Sequence, residues 1–277
     1  GEVVYARGYG VKREGEPGDV DAGTLFRIGS TTKMMTAAAV MQQVEAGRVD
    51  LRAPLATYIP DWDIAGAWDF PTVTGADVTP WHLLTHTSAY PDRIFVDTGL
   101  DGPKGPSALA DWARTGVSVT LHAPPGSFWN YSNPGFALAG LVVQNVSGTP
   151  YADYMRDAVW APAGMTATFL LPADAVAYGN VTYGHRWIDP TTGTEVVYAP
   201  DAYDNWAIAP AGYAFSRPTD MVRWADLLMQ GGGDVLSPAS VDAMTAAQTT
   251  MGYRPGQAYG YGIFRTEALD RVIYDHG

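Results

Sequence analysis

The sequence predicts a mixed α/β (α+β) fold, on three observations. Strand-like runs lie towards the two ends of the chain, at 2–11, 24–29, 259–265 and 271–276. Helical patterns fill much of what lies between. One of them, inside residues 26–47 (FRIGSTTKMMTAAAVMQQVEAG), is apolar on nearly every face, the mark of a helix buried in a large core. At 277 residues the chain can bury such a core, as one large domain or as two lobes.

The elements follow in order. Residues 2–11 (EVVYARGYGV) read as a strand and 13–19 as a turn. Residues 24–29 (TLFRIG) are a second, short strand leading into a helix that begins near Ser30 and stops at Gly47, a natural residue just past a helix end. Residues 48–78 read as Pro-punctuated loop with one short amphipathic turn. Thr79-Pro80 starts a helix, with Thr79 as N-cap. His82 and His86 stand four apart, but no glutamate lies between them and no third ligand is evident, so packing or hydrogen bonding is the expected role. Residues 90–106, rich in Pro, Gly and Asp, form an irregular surface loop long enough for a lid. A helix is expected at 107–115 and a turn at 124–126. Tyr131-Ser132-Asn133 precedes a helix at 134–146, for which Asn133 would be an N-cap. Residues 150–160 are helical, and 161–172 (APAGMTATFLLP) connect tightly into strand-like sequence. Residues 178–216 suggest short strands and loops. Helices follow at 218–230, with Ser216 or Thr219 near its cap, and at 237–247. The strands 259–265 and 271–276 form a hairpin.

Composition narrows the function. Seventeen basic against twenty-nine acidic side chains, a net charge of −12, argue against nucleic acid and anionic membranes as partners. No apolar run approaches the span of a bilayer. The absence of cysteine excludes disulfides, a thiol nucleophile and thiolate metal sites. There is no GxGxxG after a strand and no P-loop. No signal peptide is visible, and the chain starts at Gly1 rather than methionine. The cysteine-free composition fits a periplasmic or secreted protein, the compartment we favour.

The chemistry is concentrated at the start of the buried helix. A lysine is almost never fully buried without a partner, so the polar turn Ser30-Thr31-Thr32-Lys33 is expected to line a cavity. Residues i and i+3 share a helix face, so Ser30 and Lys33 can touch. Lysine can lose its proton when desolvated and arginine cannot. The chain has only three lysines, Lys12, Lys33 and Lys104. One of them therefore sits where a serine proton could be taken, the S-x-x-K arrangement of nucleophile and base. A simpler reading makes Ser30 an N-cap and sends Lys33 to solvent, and roughly one S-x-x-K arises by chance in a chain of this length.

Three stretches taken together resemble the serine β-lactamase and penicillin-binding-protein superfamily, in the branch of class C β-lactamases, DD-peptidases and related esterases. They are TLFRIGSTTKMMTAAAV with LLTHTS, then PPGSFWNYSN with PAGM, then AGYAFSRPTDMVRWADLL with YGYGIF, in the family's order over nearly the whole chain. The resemblance implies a two-lobe fold. Residues 1–60 and about 165–277 would form an antiparallel sheet flanked by helices, and about 61–164 a mostly helical lobe. It implies that Ser30 is the acylated nucleophile, that Lys33 is its base or electrostatic helper, and that Tyr131 shuttles protons with that lysine. Asn133 would touch the substrate amide and the lysine. His276-Gly277 resembles the start of the family's third motif, beside the substrate. The implied activity is acyl transfer on an ester, a D-amino-acid peptide or a β-lactam, without metal or organic cofactor.

The sequence departs from the pattern in two places. Ser88-Ala89 replaces Ser-Gly after LLTH, and the core strands and C-terminal helix that follow the third motif in the family are absent, as is a helix before Gly1. We therefore expect another segment or chain to complete the sheet. Two rival readings are an α/β-hydrolase triad, disfavoured because no G-x-S-x-G occurs, and a catalytically silent module that binds peptidoglycan fragments or a protein partner.

Overall fold

Helix α1 (Thr32–Glu45) is the axis of the molecule. Every residue from Thr32 to Met41 is buried, and Gln43 with them. The computed structural model describes residues 2–60, 62–93, 98–99, 101–115, 119–188, 191–193, 195–252 and 254–277. A turn of 3-10 helix, Gly29–Thr31, precedes α1, so Ser30 sits just outside the α-helix rather than within it. At the other end Ala46 caps the helix and Gly47 follows with φ +68°, a left-handed backbone that glycine adopts without strain.

Three elements wrap the Ala-rich face of α1: α4 (Asn133–Ser147), the short α7 (Ala209–Gly212) and the helical stretch Tyr151–Tyr154 (α5) continued by a π-helical turn, Met155–Trp160. The small side chains of Ala37, Ala38 and Ala39, all fully buried, let these elements approach. Larger side chains close the gaps. Trp160, 2% exposed, sends its indole N–H to Met35 Sδ at 3.1 Å. Burying one such Met or aromatic side chain is worth roughly 1.5–3 kcal/mol. α2 (Pro80–Leu84) and α3 (Ala108–Thr115) both pack on α4.

β1 (Phe26–Arg27) pairs antiparallel with β6 (Phe215–Ser216). β7 (Thr249–Thr250), β8 (Gln257–Tyr259), β9 (Phe264–Ala268) and β10 (Arg271–Asp275) make an antiparallel sheet in the order β10-β9-β8-β7. β4 (Gly184–Ile188) and β5 (Glu195–Tyr198) form a separate hairpin, and β2 (Gly66–Ala67) with β3 (Thr120–Leu121) a short parallel pair. α6 (Pro172–Tyr178), α8 (Pro218–Met229) and α9 (Pro238–Thr245) complete the described helices. α8 is tied down by Asp220, fully buried, which accepts from Ala167 N–H at 2.7 Å and from Arg217 and Arg223 at 2.9 and 2.8 Å.

Four sequence expectations are corrected. Residues 2–11 form no strand: Val11 makes one isolated antiparallel bridge to Asp19, Val4 is 91% exposed, and no ladder joins residues 2–9 among the described residues. A β-propensity pattern without a partner edge has no ladder to join. The expected strand 259–265 is broken at 260–263, where the chain leaves β8, crosses α1 and enters β9. The N-cap of α4 is Ser132, whose hydroxyl accepts from Gly135 N–H at 3.2 Å, and not Asn133. Arg217 occupies the N-cap position of α8 without a side-chain cap, in place of Ser216 or Thr219. Residues 94–97 and 100, inside the surface loop long enough for a lid, lie outside the described residues.

Candidate active site

The 3-10 turn before α1 holds Ser30 half-buried, and the first turn of α1 carries Lys33 beneath it, fully buried. Lys33 Nζ lies 2.9 Å from Ser30 Oγ, 2.7 Å from Asn133 Oδ1 and 2.5 Å from the carbonyl of Ala211 in α7. Its cation also sits 4.7 Å above the Tyr131 ring and 5.6 Å from the Phe136 ring. The Tyr131 hydroxyl donates to Ser30 Oγ at 2.7 Å. Sequence positions 30, 33, 131 and 133 thus meet around one hydroxyl.

The capping correction explains how Asn133 gets there. Ser132 turns its side chain back to satisfy the helix N-terminus, which leaves the Asn133 side chain free to reach Lys33. Tyr131 is held from behind by His86. His86 lies past the end of α2 with φ +56°. Its carbonyl accepts from Asn130 N–H at 2.7 Å, and its Nδ1 accepts from Ser132 N–H at 3.1 Å. The ring packs 4.3 Å from that of Tyr131. Burial, with Lys33 and His276 adding to it, drives the His86 pKa well below its usual value, so it is a neutral acceptor. His82 plays a different part: its Nδ1 accepts from Thr79 N–H at 3.1 Å and closes the start of α2. The two histidines share no site, and no cluster suited to a metal occurs among the described residues.

Burial is also the main influence on the titratable groups beside Ser30. It draws Lys33 down to about 7, opposed by the negative charge of Asp92. It pushes Tyr131 up to about 12, with the Ser30 hydrogen bond working the other way and Asp92 adding to the rise. At neutral pH a large share of Lys33 is therefore an amine, while roughly one Tyr131 in 10⁵ is ionised. Of the two, Lys33 is the group with a lone pair to offer.

The geometry directs that lone pair. The Ala211 carbonyl and Asn133 Oδ1 can only accept, so a neutral Lys33 gives its two hydrogens to them. What remains faces Ser30 Oγ. The arrangement can withdraw a proton from Ser30 while Tyr131 donates to the same oxygen.

His276, just past β10, is less exposed than the strand before it. Its Nε2 lies 2.9 Å from the Tyr259 hydroxyl, its ring 6.2 Å from that of Tyr131, and its carbonyl accepts from Thr31 Oγ1 at 3.0 Å. Burial, reinforced by Lys33, lowers it to about 3, so it carries no charge. His276 thus joins the aromatic wall behind Tyr131, and Gly277 follows it, exposed. Two participants escaped the sequence reading. The carbonyl of Ala211 has no side-chain signature. Asp92 lies in a loop that reads as surface, yet its carboxylate accepts from both amides of Asn133.

A family model described as Beta-lactamase matches residues 1–277. The chain belongs to the beta-lactamase family. Among relatives of this family member, an unguisins hydrolase from Aspergillus campestris (strain IBT 28561) is 30% identical over 255 residues, 90% of this chain and 46% of that protein. Penicillin-binding protein 4 of Amycolatopsis lactamdurans is 29% identical over 244 residues, 87% of this chain and 60% of that one. The chain spans about half the length of the curated relatives it matches. The octameric penicillin-binding protein homologue from Pyrococcus abyssi superposes with a TM-score of 0.79 at 24% identity, covering 99% of this chain and 61% of its own. The D-amino acid amidase of Ochrobactrum anthropi SV3, complexed with L-phenylalanine, gives 0.72 at 25% identity, covering 96% and 72%. The α/β architecture of this beta-lactamase-family chain is that of its structural neighbours.

Proposed function

We propose that the protein is a serine hydrolase working through an acyl-enzyme on Ser30, with an ester, a D-amino-acid peptide or a β-lactam as substrate. The observation that carries this reading is Lys33: fully buried, near pKa 7, and oriented so that its free valence faces the Ser30 hydroxyl. In the first step Ser30 Oγ attacks the substrate carbonyl carbon as its proton passes to Lys33 Nζ. The oxyanion is stabilised by the Ser30 N–H, in the turn that opens α1, together with a second amide. Collapse expels the leaving group, which takes the Tyr131 proton as Lys33 passes its own proton to Tyr131. Water then attacks the ester carbonyl of the acyl-enzyme, giving its proton to Lys33, and Ser30 regains a proton as the acid product leaves.

The names of relatives support hydrolysis of this kind: a D-alanyl-D-alanine-carboxypeptidase/endopeptidase from Escherichia coli (strain K12) is 30% identical over 79% of this chain. The expected division into lobes at about 61 and 165 is part of the same reading. β10 supports the expectation of a further segment or chain. Its residues are exposed along the whole strand, and an apolar groove lined by Met34, Trp224, Leu228, Ile263, Val272 and Tyr274 lies beside it.

The test is intact mass after incubation with a fluorophosphonate, followed by peptide mapping. One adduct on Ser30 is expected, with a labelling rate that climbs as pH rises through about 7, because the neutral amine is the reactive form of Lys33. Ser30→Ala should take no label. Absence of any adduct on the natural sequence would point to the binding-module reading instead.

A further inference from the structure

The Asn133 side chain makes Lys33 a directed base only while its amide faces one way. Oδ1 must point to Lys33 Nζ, at 2.7 Å. Turned by 180°, the amide would present its NH₂ to the lysine. A neutral lysine would then accept from Asn133, and its lone pair would point away from Ser30. Lys33 itself cannot prevent this, because an amine both donates and accepts. Something that only accepts must hold the NH₂.

That group is the carboxylate of Asp92. Its Oδ2 accepts from Asn133 Nδ2 at 3.0 Å and its Oδ1 from Asn133 N–H at 3.2 Å. An ionised carboxylate has no hydrogen to give, so it admits one orientation of the amide and rejects the other. Both contacts are charge-assisted and therefore stronger than neutral ones. We propose that Asp92 is a positioning residue that locks the Asn133 amide and thereby aims the Lys33 lone pair at Ser30. The assignment rests on the reading of Ser30 and Lys33 as nucleophile and base. It gives a loop residue 41 positions away from Asn133 a function in proton transfer.

The groups that face Lys33 are Asp92 from the loop after α2, Tyr131 and Asn133 from the start of α4, the Ala211 carbonyl from α7, and the neutral rings of His86 and His276. Asp92 supplies the negative charge among them, and it supports the protonated form of the lysine. Removing that charge should therefore lower the pH at which Lys33 titrates while spoiling its aim.

Asp92→Asn separates these effects. The substituted amide keeps the shape and can still accept from the Asn133 backbone, but it turns an NH₂ towards Asn133 Nδ2 and so favours the flipped amide. Two readouts are needed. The first is the rate of Ser30 labelling by a fluorophosphonate, and kcat/KM for a neutral p-nitrophenyl ester, as functions of pH. The second is the titration of Lys33 by heteronuclear NMR, tractable because the chain has three lysines. We expect the plateau labelling rate and kcat to fall by about 10- to 100-fold, with KM little changed, the Lys33 titration displaced downward, and Asp92→Glu restoring part of the loss. A plateau within twofold of the unsubstituted protein, or a loss confined to KM, would overturn the assignment. The NMR readout does not depend on turnover. A Lys33 titration that responds to Asp92→Asn in a protein whose Ser30 takes no label would leave the coupling standing and sink the acyl-enzyme reading instead.

Discussion

Lys33→Met should reduce acylation of Ser30 by about 10⁴-fold, and Lys33→Arg should do no better. Methionine fills much of the same volume and needs no hydrogen bond, so the fold can close over it. It has no lone pair of comparable basicity, and Tyr131, raised to about 12 by burial, offers none at neutral pH either. Arginine keeps the charge and the capacity to donate, but it does not release a proton at any accessible pH. The pair of variants therefore distinguishes a base from a fixed positive charge. If the function of Lys33 were to stabilise an anion, Lys33→Arg would retain much of the rate while Lys33→Met lost it. Single-turnover labelling of Ser30 is the measurement, with circular dichroism to establish folding. More than a tenth of the original rate in Lys33→Met would mean that another group takes the proton.

Gly262→Ala should lower stability by about 3 kcal/mol, seen as a fall in Tm of roughly 6–12 °C. Gly262 lies where the chain crosses α1 between β8 and β9, with φ +69°. A Cβ there would stand 2.6 Å from the Lys33 carbonyl oxygen and 3.0 Å from Ala37 Cβ. Both obstacles belong to the buried N-terminal half of α1, one of them helix backbone, so the crossing loop must give way. The Gly262 N–H donates to the Leu84 carbonyl at 3.1 Å, a contact that would be strained by the same displacement. Because the struck atom belongs to Lys33, labelling of Ser30 should slow as well. An unchanged Tm would show that the loop can lift off α1 freely.

These two positions also show what the sequence could reveal. Lys33 was legible: a lysine in the first turn of a helix apolar on all sides needs a partner, and i, i+3 spacing supplied Ser30. Gly262 was not, since the alternating residues 259–265 read as one strand and nothing local announces that α1 lies across its path. The Thr79-Pro80 start, the helices near 107–115 and 237–247, and the end of α1 at Gly47 were readable because caps and breakers act over a few residues. For the same reason the capping role expected of Asn133 falls to Ser132, whereas the contact with Lys33 that the resemblance implies is present. Ser132 and Asn133 are both good caps, and in the structure Ser132 caps while Asn133 reaches Lys33, a hundred residues away. The strand expected at 2–11 comes down to one bridge at Val11, because strands need a partner and propensity does not provide one. Asp92 was invisible because its significance lies entirely in the amide it holds.

The burial of Lys33 has a consequence for when the fold is firm. In the unfolded chain the side chain titrates near 10.5, in the folded one near 7. Between those values the unfolded chain holds a proton that the folded chain has released, so stability rises with pH across that window. Below about 7 both states are charged and the whole penalty is felt. At about 1.4 kcal/mol per pH unit, it amounts to about 5 kcal/mol, comparable with the entire net stability of many domains. Falling pH thus withdraws this stability between about 10.5 and 7, and the amine proposed as the base is lost only as pH falls through about 7, where the loss of stability is complete. Whatever compartment the protein works in, one buried ammonium ties its durability and its chemistry to the alkaline side of neutrality.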